Sequence, residues 1–338
     1  MRYLNSVYIR DYKARVGYRR GSLVVTGMEG KQRIGIEAID AVIMFAGQIT
    51  TDALAQLVRR RVRIAALTRG GRIRFIVSGP TSGNVHLRQA QHRAADDVGT
   101  TLQITRNIVA AKLQNSRRVI ARWGRDYPQP AIREDLRTRS EQLGGRVTEI
   151  ANADSAHMLR GIEGDAGRLH FGAVRKVLSF EELQFTTRNR RPPRDPVNAL
   201  LGMCYALLVT EATGAAETVG LDPQIGFFHR ARSGRASLSL DLVEEFRPLV
   251  DRFVVGIVRR KQIGVADFTF TAGGACYLTD SGRDRLLKLW EKHKDTEFQH
   301  DVLGRPVSRW ALPTVQATLM ARHLRGDLPG YPPFLLRR

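Results

Sequence analysis

The chain has 338 residues, 43% of them hydrophobic, and 54 Lys and Arg against 33 Asp and Glu, a formal net charge of +21. That apolar fraction, with 3 Trp, 8 Tyr and 13 Phe, excludes a disordered polycation, because enough surface can be buried to offset the ordering entropy. The length suits about two domains, and the surplus of positive charge argues for an anionic partner rather than for any fold.

From Tyr3 to about Ser78 the sequence reads as short strands, SVYI, SLVVTG and RIGIEAIDAVIMF, punctuated at Gly21, Gly27 and Gly30. A helix is predicted over Thr51 to Arg61, where Thr51 or Asp52 can cap and Leu54, Leu57 and Val58 repeat at helical spacing. Gly70 and Gly71 in RGGRIRFIV give a two-residue hairpin signal. The cluster SGPTSGN, Ser78 to Asn84, marks a boundary. Beyond it, His86 to Trp123, Arg133 to Leu159, Pro196 to Val219, Asp241 to Val258 and Arg283 to Lys294 carry apolar residues three and four apart, the helical period. Loops are expected near Gly124 to Pro130 and Asn189 to Asp195. The expected architecture is therefore α+β: a β-rich N-terminal domain over 1–80, a linker over 81–87, and a larger all-α domain over 88–338.

Cys204 and Cys276 are the only cysteines and lie far apart in apolar surroundings, which fits a reducing cytoplasm and offers no CxxC metal site. The opening MRYLNSVYIRDYKAR is broken by Arg2, Arg10, Asp11 and Lys13, leaving no room for the apolar core of a signal peptide, and no membrane span is expected. Of the basic residues 46 are Arg and only 8 are Lys. Guanidinium forks suit phosphate oxygens, and a GC-rich genome produces the same ratio without explaining the net charge.

Three islands could carry chemistry. In LRGIEGDAG, Glu163 sits between Gly161 and Gly164 in a helical stretch; each glycine costs about 1 kcal/mol relative to Ala, so either close approach is required there or the segment is a helix junction with a solvated Glu. In GFFHRARSGR, His229 opens a basic loop, where it is either a rim histidine or a ligand beside phosphate-binding forks. In SLSLDLVEEFRP, Asp241 and Glu244 stand three apart; they project from one helix face, and the same pattern reads as a capping box. Two or three carboxylates with one imidazole form a donor set suited to Mg²⁺ or Mn²⁺ rather than to a zinc cage. Spacing alone does not join islands 66 and 12 residues apart.

Resemblance joins them. The sequence around Glu163, then RNRRPPRDPVNALL, GFFH and DLVEEFRP in that order, with FIVSGPTSGN before and HLRGDLPGYPPFLLR after, resembles the CRISPR spacer-adaptation integrase family over nearly the whole chain. RRPPRDPVN and the tail are most similar to type I systems, subtype C. The resemblance implies a metal-dependent DNA endonuclease and integrase in which Glu163, His229 and Glu244 bind Mg²⁺ or Mn²⁺ and Asp241 lies beside the site as a supporting or second ligand. Glu245 is expected to be structural, since one helical step turns it about 100° away. The resemblance further implies a homodimer paired through the N-terminal domain, double-stranded DNA as substrate, and the small companion Cas protein as partner. Expected phosphate contacts are Arg190, Arg191, Arg194, Arg230, Arg232, Arg235, Arg247, Arg259, Arg260 and Lys261; Asn198 and Tyr205 could line the site or be structural. The competing class is a non-catalytic nucleic-acid-binding protein whose acids only cap helices. Gly167 and Gly172 after the Glu163 motif, and Gly214 inside a predicted helix, depart from the family pattern without removing a ligand.

Overall fold

Short glycine-punctuated runs fold into a strand-rich first unit, Met1–Gly83, and the longer amphipathic runs into a second, Asn84–Arg338. The computed structural model describes residues 5–28, 30–60, 62–68, 73–77, 79, 85–190 and 192–337. The first unit runs β1 (Asn5–Ile9), β2 (Arg15–Arg19), β3 (Ser22–Gly27), β4 (Gly30–Gly35), β5 (Ile39–Met44), β6 (Gln48–Ile49), α1 (Thr51–Arg59), β7 (Arg63–Leu67) and β8 (Ile73–Val77). Two four-stranded sheets result, ordered β1-β5-β7-β8 and β4-β3-β2-β6. The run RIGIEAIDAVIMF therefore serves both: β4 pairs with β3 in one sheet and β5 with β1 and β7 in the other. β5 and β7 are interior strands, so Val42, Ile43 and Met44, and Ile64, Ala65 and Ala66, are buried consecutively instead of alternately.

Arg20 and Gly21, with φ of 46° and 76°, form the turn between the paired Arg19 and Ser22; positive φ at both positions matches the twist of a tight hairpin. α1 is capped one residue earlier than expected, by Thr50, whose Oγ1 accepts from the Ala53 amide at 3.2 Å. β7 and β8 pair antiparallel, whereas the predicted Gly70–Gly71 turn and most of the 78–84 boundary lie outside the described residues.

The second unit contains α2 (Val85–Asp96), α3 (Val98–Asp126), α4 (Pro130–Ala151), α5 (Ala156–Val177), α6 (Pro196–Val219), α7 (Ser237–Glu244), α8 (Arg247–Arg259), α9 (Asp280–Lys294) and α10 (Leu312–Leu324). It is not purely helical. Two small antiparallel ladders, β9 (Phe268–Phe270) with β10 (Cys276–Leu278) and β11 (Glu297–His300) with β12 (Arg305–Ser308), are inserted between helices. Three predicted helical runs divide at polar residues. Asp97 caps α3 through the Thr100 amide at 2.8 Å, Ser155 caps α5 through Met158, and Glu245–Phe246 separates α7 from α8. Val85, His86 and Leu87, assigned above to the linker, form the first turn of α2.

α3 packs against α4, α5, α7 and α8, and α6 against α7, α8 and α10. α6 is the one described helix long and apolar enough to cross a membrane, and most of its apolar stretch is buried inside the unit. Asp195 caps it at the Asn198 amide, 2.8 Å, with Pro196 in its first turn.

His293, at the end of α9, stacks on Phe253 with ring centroids 4.7 Å apart, and its buried Nε2 has no hydrogen-bond partner. Burial, then the Arg309, Arg252 and Arg260 charges, pushes its pKa down to about 3. Because the unfolded chain takes up this proton below about pH 6.5 and the folded one does not, stability falls as pH drops below that value. His293→Phe keeps the stack, and its melting temperature is expected to depend less on pH between 7 and 5 than the parent's; equal slopes in scanning calorimetry would count against this assignment.

Candidate active site

The three islands meet where α3, α5, α7 and the loop before α7 converge. α5 buries Leu159, Ile162, Ala166, Ala173, Val174 and Val177, and Glu163 stands at the edge of that stripe in one unbroken helix, with no junction. A Cβ on Gly161 or Gly164 would meet no described atom within 4 Å, so no described part of this chain makes the close approach that these glycines could serve. Glu163 Oε1 instead accepts a short hydrogen bond from Lys112 on α3. The same ammonium lies 2.6 Å from Glu244 Oε2 at the end of α7. Arg247 Nε donates to Glu244 Oε1 at 2.8 Å, and His229 Nε2 is 3.9 Å from that oxygen. Burial alone would raise the Glu244 carboxyl, but Arg247, Lys112 and His229 outweigh it and hold the pKa at about 2. Lys112 is pulled down by desolvation and, more strongly, up by Glu244 and Glu163.

Asp241 is neither a cap of its own helix nor solvent-facing. α7 begins four residues earlier at Ser237, and Asp241 is fully buried. Its Oδ2 accepts from the amides of Phe227 (2.5 Å) and Phe228 (3.1 Å), and its Oδ1 from the amide (2.9 Å) and ring Nδ1 (2.7 Å) of His229. A carboxylate can only accept, so Nδ1 carries a hydrogen, and Nε2 is the ring nitrogen turned toward Glu244. This is the arrangement that orients a ligating imidazole, and it makes Asp241 a positioning residue. Gly226 permits it: a Cβ there would stand 2.7 Å from the Ser237 carbonyl carbon and 2.9 Å from the Leu238 amide nitrogen. The preceding loop is held by Gln91 of α2, which donates to the carbonyls of Asp222 (2.8 Å) and Ile225 (2.7 Å).

Glu245, one step from Glu244, is turned away from the cluster and is structural, as its helical phase predicts. It accepts from the Tyr331 hydroxyl at 2.6 Å and the Phe334 amide at 2.5 Å. Burial pushes its carboxyl up to about 8, against the hydrogen bonds from Tyr331, Phe334 and Gln316. Asn115 of α3 completes the junction, donating to the carbonyls of Glu245 and Phe334 (both 2.9 Å) and accepting from the Leu336 amide at 2.8 Å.

A cavity of about 680 Å³ opens beside Glu163 and Lys112, with Arg139, Arg168, Arg175, Arg188, Arg190 and Arg247 in its walls. Tyr205 and Asp251 are also in its lining. The Tyr205 hydroxyl donates to Asp251, Asp251 Oδ2 lies 2.8 Å from His170 Nε2, and Arg247 and Arg188 lie over the Tyr205 ring at 4.7 and 5.4 Å. Asn198 is buried and organises the adjoining loop through Arg188 (2.7 Å), the Asn189 amide (3.1 Å) and the Thr187 carbonyl (2.8 Å).

Of the arginines singled out from sequence, Arg190 and Arg247 therefore reach the site, although Arg247 is already committed to Glu244. Arg194 donates to the Gly273 carbonyl at 3.0 Å. Arg230 and Arg232 are exposed and Arg235 half-buried in the loop after His229. Arg259 lies over the Tyr127 ring at 4.8 Å, and with Arg260 and Lys261 it is at the far end of α8, about 18 Å along the axis from Arg247. Arg191 lies outside the described residues. Lys112, Arg139, Arg168, Arg175 and Arg188 were not anticipated. Arg168 and Arg175 have a legible signal, since they are seven apart on the helix of Glu163 and share a face; Lys112 has none.

Among the described residues no three acid, His or Cys side chains already stand as a metal cage. The donor set nevertheless fits a divalent ion. Glu163 and Glu244 close on a single cation, the Lys112 ammonium, and Nε2 of an oriented imidazole faces Glu244.

A two-sheet strand unit, a helical unit and an acid–imidazole cluster beside basic walls together define a nucleic-acid enzyme. The chain belongs to the Cas1 family: the model for "CRISPR associated protein Cas1" matches residues 7–292. It is 38% identical over 340 residues to a CRISPR-associated endonuclease Cas1 of Moorella thermoacetica, covering 99% of each chain. It is 37% identical to one of Rhodospirillum rubrum, covering 98% of each. The fold is shared with a casposase bound to integration product (TM-score 0.84, 21% identity, 96% of this chain and 92% of that one). It is also shared with a Cas1 protein of Thermotoga maritima (TM-score 0.81, 22% identity, 96% and 97%).

Two stability predictions follow from the clamps. Gly226→Ala forces backbone apart and is expected to lower unfolding free energy by about 1–3 kcal/mol, read by urea denaturation; an unchanged midpoint would show that the loop yields freely. Glu245→Ala strands the Tyr331 hydroxyl and Phe334 amide and should cost about 2–4 kcal/mol, whereas Tyr331→Phe should cost about 1 kcal/mol in the same assay.

Proposed function

We propose that the protein is the integrase of CRISPR adaptation: a divalent-metal-dependent DNA endonuclease that inserts DNA fragments as new spacers into the CRISPR array. The observation that carries this reading is that Glu163 and Glu244 share one cation position, with His229 Nε2 3.9 Å from the other oxygen of Glu244, beside an arginine-walled cavity, in a chain of the Cas1 family.

Glu163, Glu244 and His229 Nε2 would hold Mg²⁺ or Mn²⁺, which supplies Lewis-acid polarisation of the scissile phosphate and stabilises charge on its oxygens. Asp241 fixes the imidazole through Nδ1 so that Nε2 is the nitrogen turned toward Glu244. Arg190 and the other cavity arginines take the phosphates flanking the reacting bond and set the incoming fragment's 3′-hydroxyl in line with the leaving oxygen at the repeat boundary. The hydroxyl then displaces one phosphodiester oxygen directly, with no covalent bond to the protein. Arg230, Arg232 and Arg235, next to His229, extend the basic track, and Arg191, Arg194, Arg259, Arg260 and Lys261 supply outlying contacts to duplex DNA. Binding through so many cations is steeply salt-dependent.

Two copies pair through the strand-rich unit, and the small companion protein, Cas2, bridges such dimers. One solved structure sharing this fold is a Cas6-RT-Cas1–Cas2 complex, with TM-score 0.82. RRPPRDPVN and the GYPPFLL tail favour a type I system, subtype C, and the site of action is the cytoplasm. A purely binding protein would use its acids as helix caps; Asp241 and Glu244 have no such role here.

Purified protein, with the companion added where required, is incubated with Mn²⁺, a 3′-hydroxyl fragment and a supercoiled repeat plasmid. Glu163→Gln and His229→Ala are expected to lower strand transfer at least ~10²–10³-fold, with duplex affinity by anisotropy changed less than about threefold, since neither residue supplies phosphate-contacting charge. Normal transfer by either variant would overturn the assignment.

A further inference from the structure

A pair of carboxylates in a mostly enclosed position must be matched by positive charge, and in this structure Lys112 supplies it. Its side chain bridges Glu163 and Glu244 from α3, 18% exposed, while Glu244 is 4% exposed. The second cation at Glu244 is fixed in place: Arg247 donates from Nε at 2.8 Å and lies over the Tyr205 ring at 4.7 Å. Lys112 has no such anchor. Its ammonium is a point charge on a flexible four-carbon stem, and the residue also lines the arginine-walled cavity, where a DNA phosphate can be met.

We propose that Lys112 is a displaceable counter-cation standing in the divalent-ion position: a metal ion loads only as the ammonium leaves Glu163 and Glu244, and DNA phosphate in the cavity gives the displaced ammonium its new partner. This inference rests on the reading that Glu163, His229 and Glu244 bind the ion. Metal loading and DNA binding are thereby linked through one side chain, each favouring the other.

The test is a Mn²⁺ titration of the purified protein, with free ion counted by electron paramagnetic resonance, first without DNA. Lys112→Met is expected to bind Mn²⁺ about tenfold more tightly than the parent, and Lys112→Arg no more tightly. Arg175→Met, which removes a cavity charge that touches neither carboxylate, is expected to change affinity less than about twofold. Adding a short duplex should tighten Mn²⁺ binding in the parent more than in Lys112→Met. The apoprotein of Lys112→Met should melt lower than the parent and recover with Mn²⁺; if it does not fold, Lys112→Gln replaces it. Unchanged or weaker Mn²⁺ binding by the neutral variant, or equal tightening by Arg175→Met, overturns the proposal. If Glu163→Gln weakens Mn²⁺ binding while Lys112→Met fails to tighten it, only this inference falls. If Glu163→Gln has no effect, the ligand assignment falls with it.

Discussion

Charge matching around Glu244 is the constraint on which the site depends. A carboxylate this enclosed is tolerable only because cations flank it, and they come from separate places: Lys112 from α3 and Arg247 from the start of α8. Its neighbour shows how local the effect is. Glu244 is held at about 2 by cations, whereas Glu245, one residue on and met only by neutral donors, is pushed to about 8. Two identical side chains at one helix end thus differ by their surroundings alone, and the helix end separates a group that must carry charge from one that knits the core.

The same principle sets the surroundings of the site. Carboxylates that gather a metal repel a DNA backbone, and the arginines around the neighbouring cavity reverse the local sign. The net charge of +21 is therefore not spread as a uniform coat. Part of it is spent inside, on Glu244 and on the Tyr205 ring, and part lines the cavity or stays exposed in the loop after His229.

How much of this was legible in the sequence follows from the range of each interaction. Period and punctuation located β3 and α6 to the residue, because those signals are local, while β2 and β6 went unread and one apolar run hid the break between β4 and β5. Motif order carried Glu163, His229 and Glu244, and the structure brings them to one place. The breaks at Asp97 and Ser155 were missed because capping residues inside a continuing apolar period look like ordinary polar positions. Asp241 looked like a helix cap because spacing three to Glu244 fits that pattern; its real partners are the amides of residues 227–229, a contact that only tertiary packing creates. Lys112 was silent for the same reason: a lone lysine on an amphipathic helix, 51 residues from Glu163, carries no local mark of its partner.

The junction of α7 and α8 is finished by residues that come last. Tyr331, Phe334 and Leu336 supply the hydroxyl, amide and carbonyl groups that satisfy Glu245 and Asn115, next to the carboxylate of Glu244. The helix end that bears Glu244 is thus closed by a segment 86 to 89 residues away from Glu245, so its geometry is fixed by the tail and not by α7 alone.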